Sequence, residues 1–320
     1  MKKIVSILRH YLVERIPLKA IVLSFLLAAL ATFFEYCFHL KRNWLEAEGL
    51  FYLKALLFYG LPVLTFLGVY FLALDRQPKG DSAFDNLPHT TNYLLLLSLL
   101  LLALVAFSLR SGFQEHATWV YHHFENWDYG IRLTNMMILG PLMSLFAVAW
   151  WFMVDRKRVP RLYGCTFKGV DWSAYLLLLL MMMPLIALAS TQKDFIQYYP
   201  KAARLFTDEF PPDKAQIALY ELFYGMDFIY IEFFFRGFLV IAFSRFLGPA
   251  SIPFAALMYC TIHFGKPLGE TISSWFGGMI LGILVYETRS IVGGIMVHMG
   301  IAWMMELGGF IGRWTLENGN

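Results

Sequence analysis

The stretch Tyr230-Ile-Glu-Phe-Phe-Phe-Arg-Gly-Phe238 sets a carboxylate and a guanidinium into an apolar run. Glu232 and Arg236 are four residues apart, so an α-helix brings them to one face, one turn from each other. A charged side chain at bilayer depth costs about 2.5–3.5 kcal/mol even on the most lenient insertion scale. We therefore expect this pair to face protein or water rather than lipid. It is either a structural ion pair that holds two helices together or part of a polar site inside a membrane protein.

The composition of the chain predicts a polytopic membrane protein. Its 320 residues are 58% hydrophobic and 15% charged, whereas ordinary soluble domains carry roughly 25% charged residues. The net charge of +3 is too small to indicate a nucleic-acid partner, and the expected partner is the lipid bilayer. We predict an all-α, polytopic transmembrane bundle of about eight to nine spans, because a spanning helix needs about 20 mostly apolar residues. Nine segments qualify: residues 19–40, 51–74, 92–109, 134–154, 172–191, 217–244, 249–264, 271–287 and 290–310.

The basic residues predict the orientation of these helices. They concentrate in the N-terminal segment and in the connector Asp155-Arg-Lys-Arg-Val-Pro-Arg161. Since cytoplasmic loops carry an excess of lysine and arginine, we expect the N-terminus to be cytoplasmic. The apolar run that follows Lys19 is predicted to be an uncleaved first membrane helix.

Ionisable residues recur in the last predicted helices. Besides the Glu232–Arg236 pair, His263 closes one apolar helix and His298 lies in the middle of another. A single histidine in such a helix is more often a satisfied core residue than a ligand, and that interpretation stays open for each of them. Ionisable groups are costly inside a membrane, so those on neighbouring helices are expected to share one interior site. The candidate site residues are therefore Glu232, Arg236, His263 and His298.

This set of side chains supports the activation of water. A carboxylate can take a proton from water, and a histidine can share that water or stabilise the negative oxygen that forms when water adds to a carbonyl. Glu232, His263 and His298 could also ligate zinc, because catalytic zinc sites use three protein ligands and one open position. The side chains alone leave both chemistries open.

Small residues indicate close helix packing in the same region. Ser274, Gly278 and Gly282 follow one another at intervals of four, the pattern that lets membrane helices approach closely. Ordinary helix packing explains this spacing. Close packing would also bring side chains of separate helices within hydrogen-bond reach.

Four short motifs follow one another in the C-terminal third of the chain. They are Glu232-Phe-Phe-Phe-Arg-Gly-Phe238, Tyr259-x-x-x-His263-Phe, Phe276-Gly-Gly-Met-Ile-Leu-Gly282 and Ser290-Ile-Val-Gly-Gly-Ile-Met-Val-His298. Together, over about residues 217–310, they resemble the CPBP intramembrane proteases, the CAAX protease and bacteriocin-processing family with the Abi domain. The resemblance implies that Glu232, Arg236, His263 and His298 correspond to family site residues. It also implies a bacterial cytoplasmic membrane and a peptide or membrane-protein substrate.

Two positions depart from the family pattern. The first family motif is Glu-Glu-x-x-x-Arg, whose first glutamate is taken to activate water, and this chain has Ile231 there. The last motif is His-x-x-x-Asn, whose asparagine helps to hold the oxyanion, and this chain has Ala302 there. Glu232 could take the role of base, or another acid could substitute. The candidate substitutes are Asp227, Glu270 and Glu306.

The resemblance implies hydrolysis of a peptide bond in or beside the membrane, by a metal-dependent or a glutamate-type mechanism. Glu232 would be the base or water ligand, positioned by Arg236, while His263 shares the water and His298 stabilises the oxyanion. The alternative is a CPBP fold that binds a lipid or a partner helix in the same polar cavity without catalysis.

The predicted organisation of the chain has four parts. N-terminal transmembrane helices with short loops occupy residues 1–191, and an extramembrane linker occupies residues 192–216. The CPBP-like domain follows at residues 217–310, and a C-terminal tail at residues 311–320.

Overall fold

The computed structural model describes residues 2–47, 49–74, 93–111, 127–159, 161–206, 211 and 213–318. Every regular element among these residues is helical, which confirms the predicted all-α class. The α-helices are α1 (Lys2–His10), α2 (Leu18–Phe38), α3 (Phe51–Val69), α4 (Tyr93–Ser111), α5 (Trp127–Thr134), α6 (Gly140–Trp150), α7 (Trp172–Ala189), α8 (Lys193–Tyr198), α9 (Lys214–Glu232), α10 (Ser244–Leu247), α11 (Ser251–Thr261), α12 (Leu268–Thr288) and α13 (Val292–Asn318). Wider π-helical turns lie at Tyr11–Arg15, Lys41–Leu45, Tyr70–Leu74, Asn135–Leu139, Trp151–Asp155 and Phe233–Ala242. Short 3₁₀ turns lie at Leu162–Gly164, Ala202–Leu205 and Gly248–Ala250.

Seven helical runs among the described residues are long and apolar enough to cross a membrane. The chain is therefore an integral membrane protein. Large apolar side chains remain exposed along these helices, such as Leu57 and Leu61 on α3 and Leu97 and Leu101 on α4, as expected of surfaces that lipid covers. The seven runs are Leu18–Phe38, Phe51–Ala73, Leu94–Ser111, Asp128–Asp155, Trp172–Ala189, Leu268–Thr288 and Val292–Leu316.

Two further segments that the sequence predicts as spans are helical but lie outside this set of seven. Residues 217–244 fall largely in α9 and the π-helical turns after it. This segment carries several charged side chains, among them Glu232 and Arg236. Residues 249–264 contain α11, which has 11 residues. A helix of that length covers about 16 Å, about half of the hydrocarbon core of a bilayer.

The chain forms two compact units that alternate along the sequence. The first comprises Met1–Gly112, Met143–Val170 and Glu232–Val292, and the second comprises Phe113–Leu142, Asp171–Ile231 and Gly293–Asn320. The region predicted as a linker contains α8 and the start of α9, and α13 continues through most of the predicted tail. The predicted four-part organisation stays a prediction.

The short helix α11 lies at the centre of the first unit. All of its residues are buried, and it packs against α2, α3 and α12. At the contact with α12, a Cβ added to Gly278 would lie 3.0 Å from Cα of Ala256, and one added to Gly282 would lie 2.9 Å from Ile252. Larger side chains would have to push the two helices apart, so the predicted close packing is confirmed at these two glycines.

The π-helical turns that follow Glu232 are also buried on all sides. Every residue from Phe233 to Ala242 is buried. Gly237 packs against the backbone of Tyr163, whose carbonyl oxygen would lie 2.9 Å from an added Cβ. The glycine of the Arg-Gly-Phe sequence therefore allows the connector to pack closely against this helix.

The second unit has an aromatic core of its own. Close packing between α9 and α13 adds to it at Gly225, where an added Cβ would lie 2.4 Å from the ring of Trp303. Trp303 also donates its indole N–H to the carbonyl oxygen of Glu221 at 3.1 Å. The buried members of the core are Tyr129, Leu133, Met136, Ala202, Leu205, Tyr220, Tyr224, Phe228 and Ala302.

Candidate active site

Glu232 and Arg236 form the ion pair that their spacing predicts. Nη1 of Arg236 lies 2.9 Å from Oε1 of Glu232, and the two side chains are 2% and 0% exposed, respectively. Removal of one partner from a buried ion pair leaves an uncompensated charge and typically costs about 3–5 kcal/mol. The pair therefore contributes to the packing of the first unit, whatever else it does.

The guanidinium of Arg236 also lies over an aromatic ring. Its central carbon is 4.1 Å from the centroid of the Tyr259 ring. When both groups are desolvated, such a cation–π contact contributes about 2 kcal/mol or more. Tyr259 belongs to α11, so this contact ties the helix of the ion pair to the centre of the first unit.

Tyr259 in turn fixes the imidazole of His263, one helical turn later. Nδ1 of His263 lies 2.9 Å from the carbonyl oxygen of Tyr259, and the centroids of the two rings are 4.6 Å apart. Because a carbonyl oxygen can only accept a hydrogen bond, Nδ1 carries the proton in this contact. In the neutral imidazole, Nε2 then keeps a lone pair that can accept a proton.

Glu270 lies beside this second nitrogen of His263. Nε2 and Oε1 of Glu270 are 3.9 Å apart, which is too far for a direct hydrogen bond. Polar groups at such a separation are often bridged by water, and one water molecule can donate to both acceptors. Lys266 donates from Nζ to the same Oε1 at 2.7 Å, so the charge of the carboxylate is compensated.

The turn between His263 and Glu270 follows from its local sequence. Gly265 has a φ of 81°, in the left-handed region that favours glycine. Pro267 directly precedes α12, and its ring fixes φ at a value suited to the start of a helix. Glu270 lies in the first turn of α12, where the helix dipole favours a carboxylate. These residues direct the chain back so that Glu270 reaches His263.

His298 and Asp227 belong to the second unit. The ring centroid of His298 lies 4.3 Å from that of Phe228, and the neighbouring Asp227 is buried. The ion pair, Tyr259 and His263 belong to the first unit. A shared role of all these residues in one site stays a prediction.

Glu306 holds the backbone of the second unit. Its Oε1 accepts the N–H of Lys201 at 3.1 Å, and its Oε2 accepts the N–H of Ala202 at 3.2 Å. Both donors lie at the start of the 3₁₀ turn Ala202–Leu205, where backbone N–H groups lack partners within the turn itself. The carboxylate of Glu306 thus caps this turn.

The two positions that depart from the family pattern are both packed in the second unit. Ala302 is a buried member of its aromatic core, and Ile231 packs against that core from the side. The substituted side chains are therefore integrated into apolar packing.

The three side chains that could ligate zinc are divided between the two units, with Glu232 and His263 in the first and His298 in the second. Among the described residues, no group of three or more histidine, cysteine, aspartate or glutamate side chains could hold a metal ion. The guanidinium of Arg236, at 2.9 Å from Glu232, would also repel a cation at that carboxylate.

The C-terminal third of the chain matches a known family. Residues 215–304 match the family described as Type II CAAX prenyl endopeptidase Rce1-like. This confirms the resemblance to CPBP proteases. No curated protein and no solved structure matches the chain.

The Rce1-like segment contains every predicted site residue except Glu306. Tyr259 contacts both Arg236 and His263, a role that was not predicted from the sequence. The i, i+4 spacing of Tyr259 and His263 was a signal for this contact, because such residues lie on one face of a helix. The contact of Tyr259 with Arg236 joins separate helices and has no local signal.

Proposed function

We propose that the protein hydrolyses a peptide bond of a peptide or membrane-protein substrate, in or beside the membrane. The observation that carries this proposal is the placement of Nε2 of His263 3.9 Å from Oε1 of Glu270. Two acceptors at this separation suit one water molecule that donates to each of them. The match of residues 215–304 to an endopeptidase family supports peptide hydrolysis as the reaction.

In this proposal His263 is the general base. Water attacks the carbonyl carbon of the scissile bond through its oxygen, and its proton passes to Nε2 of His263. The electron pair of the carbonyl double bond moves to oxygen and forms the oxyanion. When the oxyanion collapses, the carbon–nitrogen bond breaks and the amine leaves with the proton from Nε2. Glu270 orients the water and stabilises the imidazolium that forms. A general acid–base group in the position of His263 typically contributes about 10²–10⁴-fold to the rate.

The Glu232–Arg236 pair is proposed to position His263. Arg236 contacts the ring of Tyr259, and the carbonyl oxygen of Tyr259 accepts the Nδ1 proton of His263. This fixes the tautomer in which Nε2 faces Glu270. Direct action of Glu232 as the base and stabilisation of the oxyanion by His298 stay predictions. Glu232→Gln tests the first, and His298→Gln, assayed on the same peptides, tests the second.

The experiment compares reconstituted wild-type protein with His263→Gln, Glu270→Gln and Glu232→Gln on a library of membrane peptides. We expect His263→Gln to lower kcat/KM by about 10²-fold or more and Glu270→Gln to lower it clearly as well. Gly277→Ala is the control, because a Cβ at Gly277 meets nothing within 4 Å. Full activity of both His263→Gln and Glu270→Gln would exclude the proposed mechanism. Loss only in Glu232→Gln, in protein that circular dichroism shows to be folded at the assay temperature, would make Glu232 the base instead.

A second candidate function is binding of a lipid or a partner helix without turnover. The packing of Ile231 and Ala302 in the aromatic core of the second unit favours this function. These two residues occupy the family positions for water activation and oxyanion binding, and both are apolar. This function predicts that no peptide in the library is cleaved by the wild type. It also predicts that a bound lipid or helix is lost from purified Glu232→Gln or His298→Gln protein, which native mass spectrometry would detect.

A further inference from the structure

The turn between His263 and Glu270 is held from outside the Rce1-like segment. Tyr36 of α2 donates its hydroxyl proton to the carbonyl oxygen of Lys266 at 2.5 Å, and its oxygen lies 2.7 Å from the hydroxyl of Thr271. Thr271 donates to the carbonyl oxygen of His263 at 2.8 Å. Tyr36 thus donates to the middle of the turn from α2, and Thr271, whose oxygen it contacts, donates to the first residue of the turn from α12.

Lys41 provides a second connection just after α2. Its Nζ donates to the carbonyl oxygen of Phe264 at 3.0 Å. Its backbone N–H donates to Oε2 of Glu35 at 2.9 Å, and Glu35 is 3% exposed. The methylene chain of Lys41 also passes close to Gly265, 3.3 Å from the position of an added Cβ. The lysine is thus anchored at its backbone and contacts the turn through its side chain.

These contacts meet a general requirement of helix ends. The last carbonyl groups of a helix have no partner within it and need donors from elsewhere. The turn leaves α11 at Thr261 and enters α12 at Leu268, and three of its carbonyl oxygens take donors from Tyr36, Lys41 and Thr271. The conformation of the turn therefore depends on α2 as well as on its own glycine and proline.

We propose that Tyr36 and Lys41 are positioning residues that hold this turn and so set the gap between His263 and Glu270. The consequence for turnover rests on the proposed function, whereas the hold on the turn does not. A displacement of about 1 Å in a catalytic arrangement can cost about 10²-fold in rate. The loss of single hydrogen bonds at the turn is accordingly expected to slow the chemical step while substrate binding is retained.

The first test measures kcat and KM of the full-length protein in lipid nanodiscs, with a peptide that the wild type cleaves. Tyr36→Phe and Thr271→Val each remove one hydroxyl, and we expect kcat to fall about 10-fold with KM changed less than about 2-fold. Thr271→Ser keeps the hydroxyl and is expected to retain wild-type kcat. Ser24→Ala is the matched control on α2, because Ser24 donates to the carbonyl oxygen of Pro253 and accepts from the indole N–H of Trp275, and both contacts lie outside the turn. A wild-type kcat in Tyr36→Phe would overturn the positioning role of Tyr36, and equal kcat in Thr271→Val and Thr271→Ser would show that the Thr271 hydroxyl has no part in it.

The second test follows backbone hydrogen–deuterium exchange of the turn and needs no turnover. Tyr36→Phe and Lys41→Met are expected to speed exchange in peptides that cover residues 262–271, whereas Ser24→Ala leaves it unchanged. Unchanged exchange in both variants would overturn the proposal. If the wild type cleaves no peptide while exchange in the two variants rises, the proposed function is wrong, but stabilisation of the turn by Tyr36 and Lys41 is supported.

Discussion

The guanidinium of Arg236 lies over the ring of Tyr259, with its central carbon 4.1 Å from the ring centroid. Arg236 pairs with Glu232 on one side, and the carbonyl oxygen of Tyr259 accepts from His263 on the other. One aromatic residue thus joins the buried ion pair to the candidate histidine. In our proposal the Glu232–Arg236 pair therefore has both roles. It is a structural ion pair, and through its contact with Tyr259 it helps to position His263.

The ion pair is expected to show strong coupling in a double-mutant cycle. Glu232→Gln and Arg236→Met each leave one buried partner alone, so each is predicted to lower the free energy of unfolding by about 3–5 kcal/mol. The double variant should lose less than the sum of the two, because it leaves no uncompensated charge. Denaturant titration in detergent micelles measures all four proteins. Additive losses would show that the two side chains do not depend on each other.

The contact between α11 and α12 gives a prediction with a control one residue away. Gly278→Ala places a methyl group 3.0 Å from the Cα of Ala256, and overpacking of this kind typically costs about 1–3 kcal/mol. Gly277→Ala meets nothing within 4 Å and should leave stability unchanged or slightly raised. The midpoint of thermal unfolding distinguishes the two variants. Equal midpoints for both would contradict the close packing of these helices.

Restoring the family residues is expected to destabilise the protein. Ile231→Glu places a carboxylate against the aromatic core of the second unit at a partly buried position, where loss of the apolar contact and partial desolvation of the charge should lower stability. Ala302→Asn adds volume and a polar amide at a buried position and should also lower stability. Unfolding titrations measure both. A variant that keeps wild-type stability and gains peptidase activity would instead show that the departures from the family pattern had removed catalysis.

Cys165 reports the orientation of the chain in the membrane. Its side chain is exposed, and desolvation by the residues around it raises the pKa of its thiol to about 11. Because the thiolate is the reactive form, labelling by a membrane-impermeant maleimide should be slow near neutral pH and should speed up about 10-fold for each unit by which the pH is raised toward that pKa. In a variant with Cys37 and Cys260 replaced by serine, we predict labelling from the cytoplasmic side only. Labelling from the opposite side would reverse the predicted topology, and Cys165→Ser gives the background.

Much of the fold could be predicted from composition and spacing, because segments that cross a lipid bilayer must be apolar and of a minimum length. The need for about 20 apolar residues per span identified all seven spanning runs. It also suggested spans at residues 217–244 and 249–264, which are not among the seven, and in the second of these α11 is short and fully buried inside protein. Hydropathy cannot separate burial in protein from burial in lipid, so that difference had no signal in the sequence.

The candidate site was predictable where its contacts are local. The pairing of Glu232 with Arg236 followed from a spacing of four residues, and Glu270 was one of the three acids that the sequence offered as substitutes for the missing glutamate. The contacts of Tyr36 and Lys41 with the turn join residues more than 220 positions apart. No local pattern encodes such contacts, because they depend on how α2 packs against α11 and α12.

The most direct test of the central claim is cleavage of membrane peptides in water enriched in the heavy oxygen isotope. The wild-type protein, reconstituted in lipid, is predicted to release peptide products that carry one heavy oxygen in the new carboxylate. His263→Gln should release at least about 10²-fold less labelled product than the wild type, and Gly277→Ala should release as much as the wild type. A wild-type protein that released no labelled product, or a His263→Gln variant that released as much as the wild type, would contradict hydrolysis with His263 as the general base.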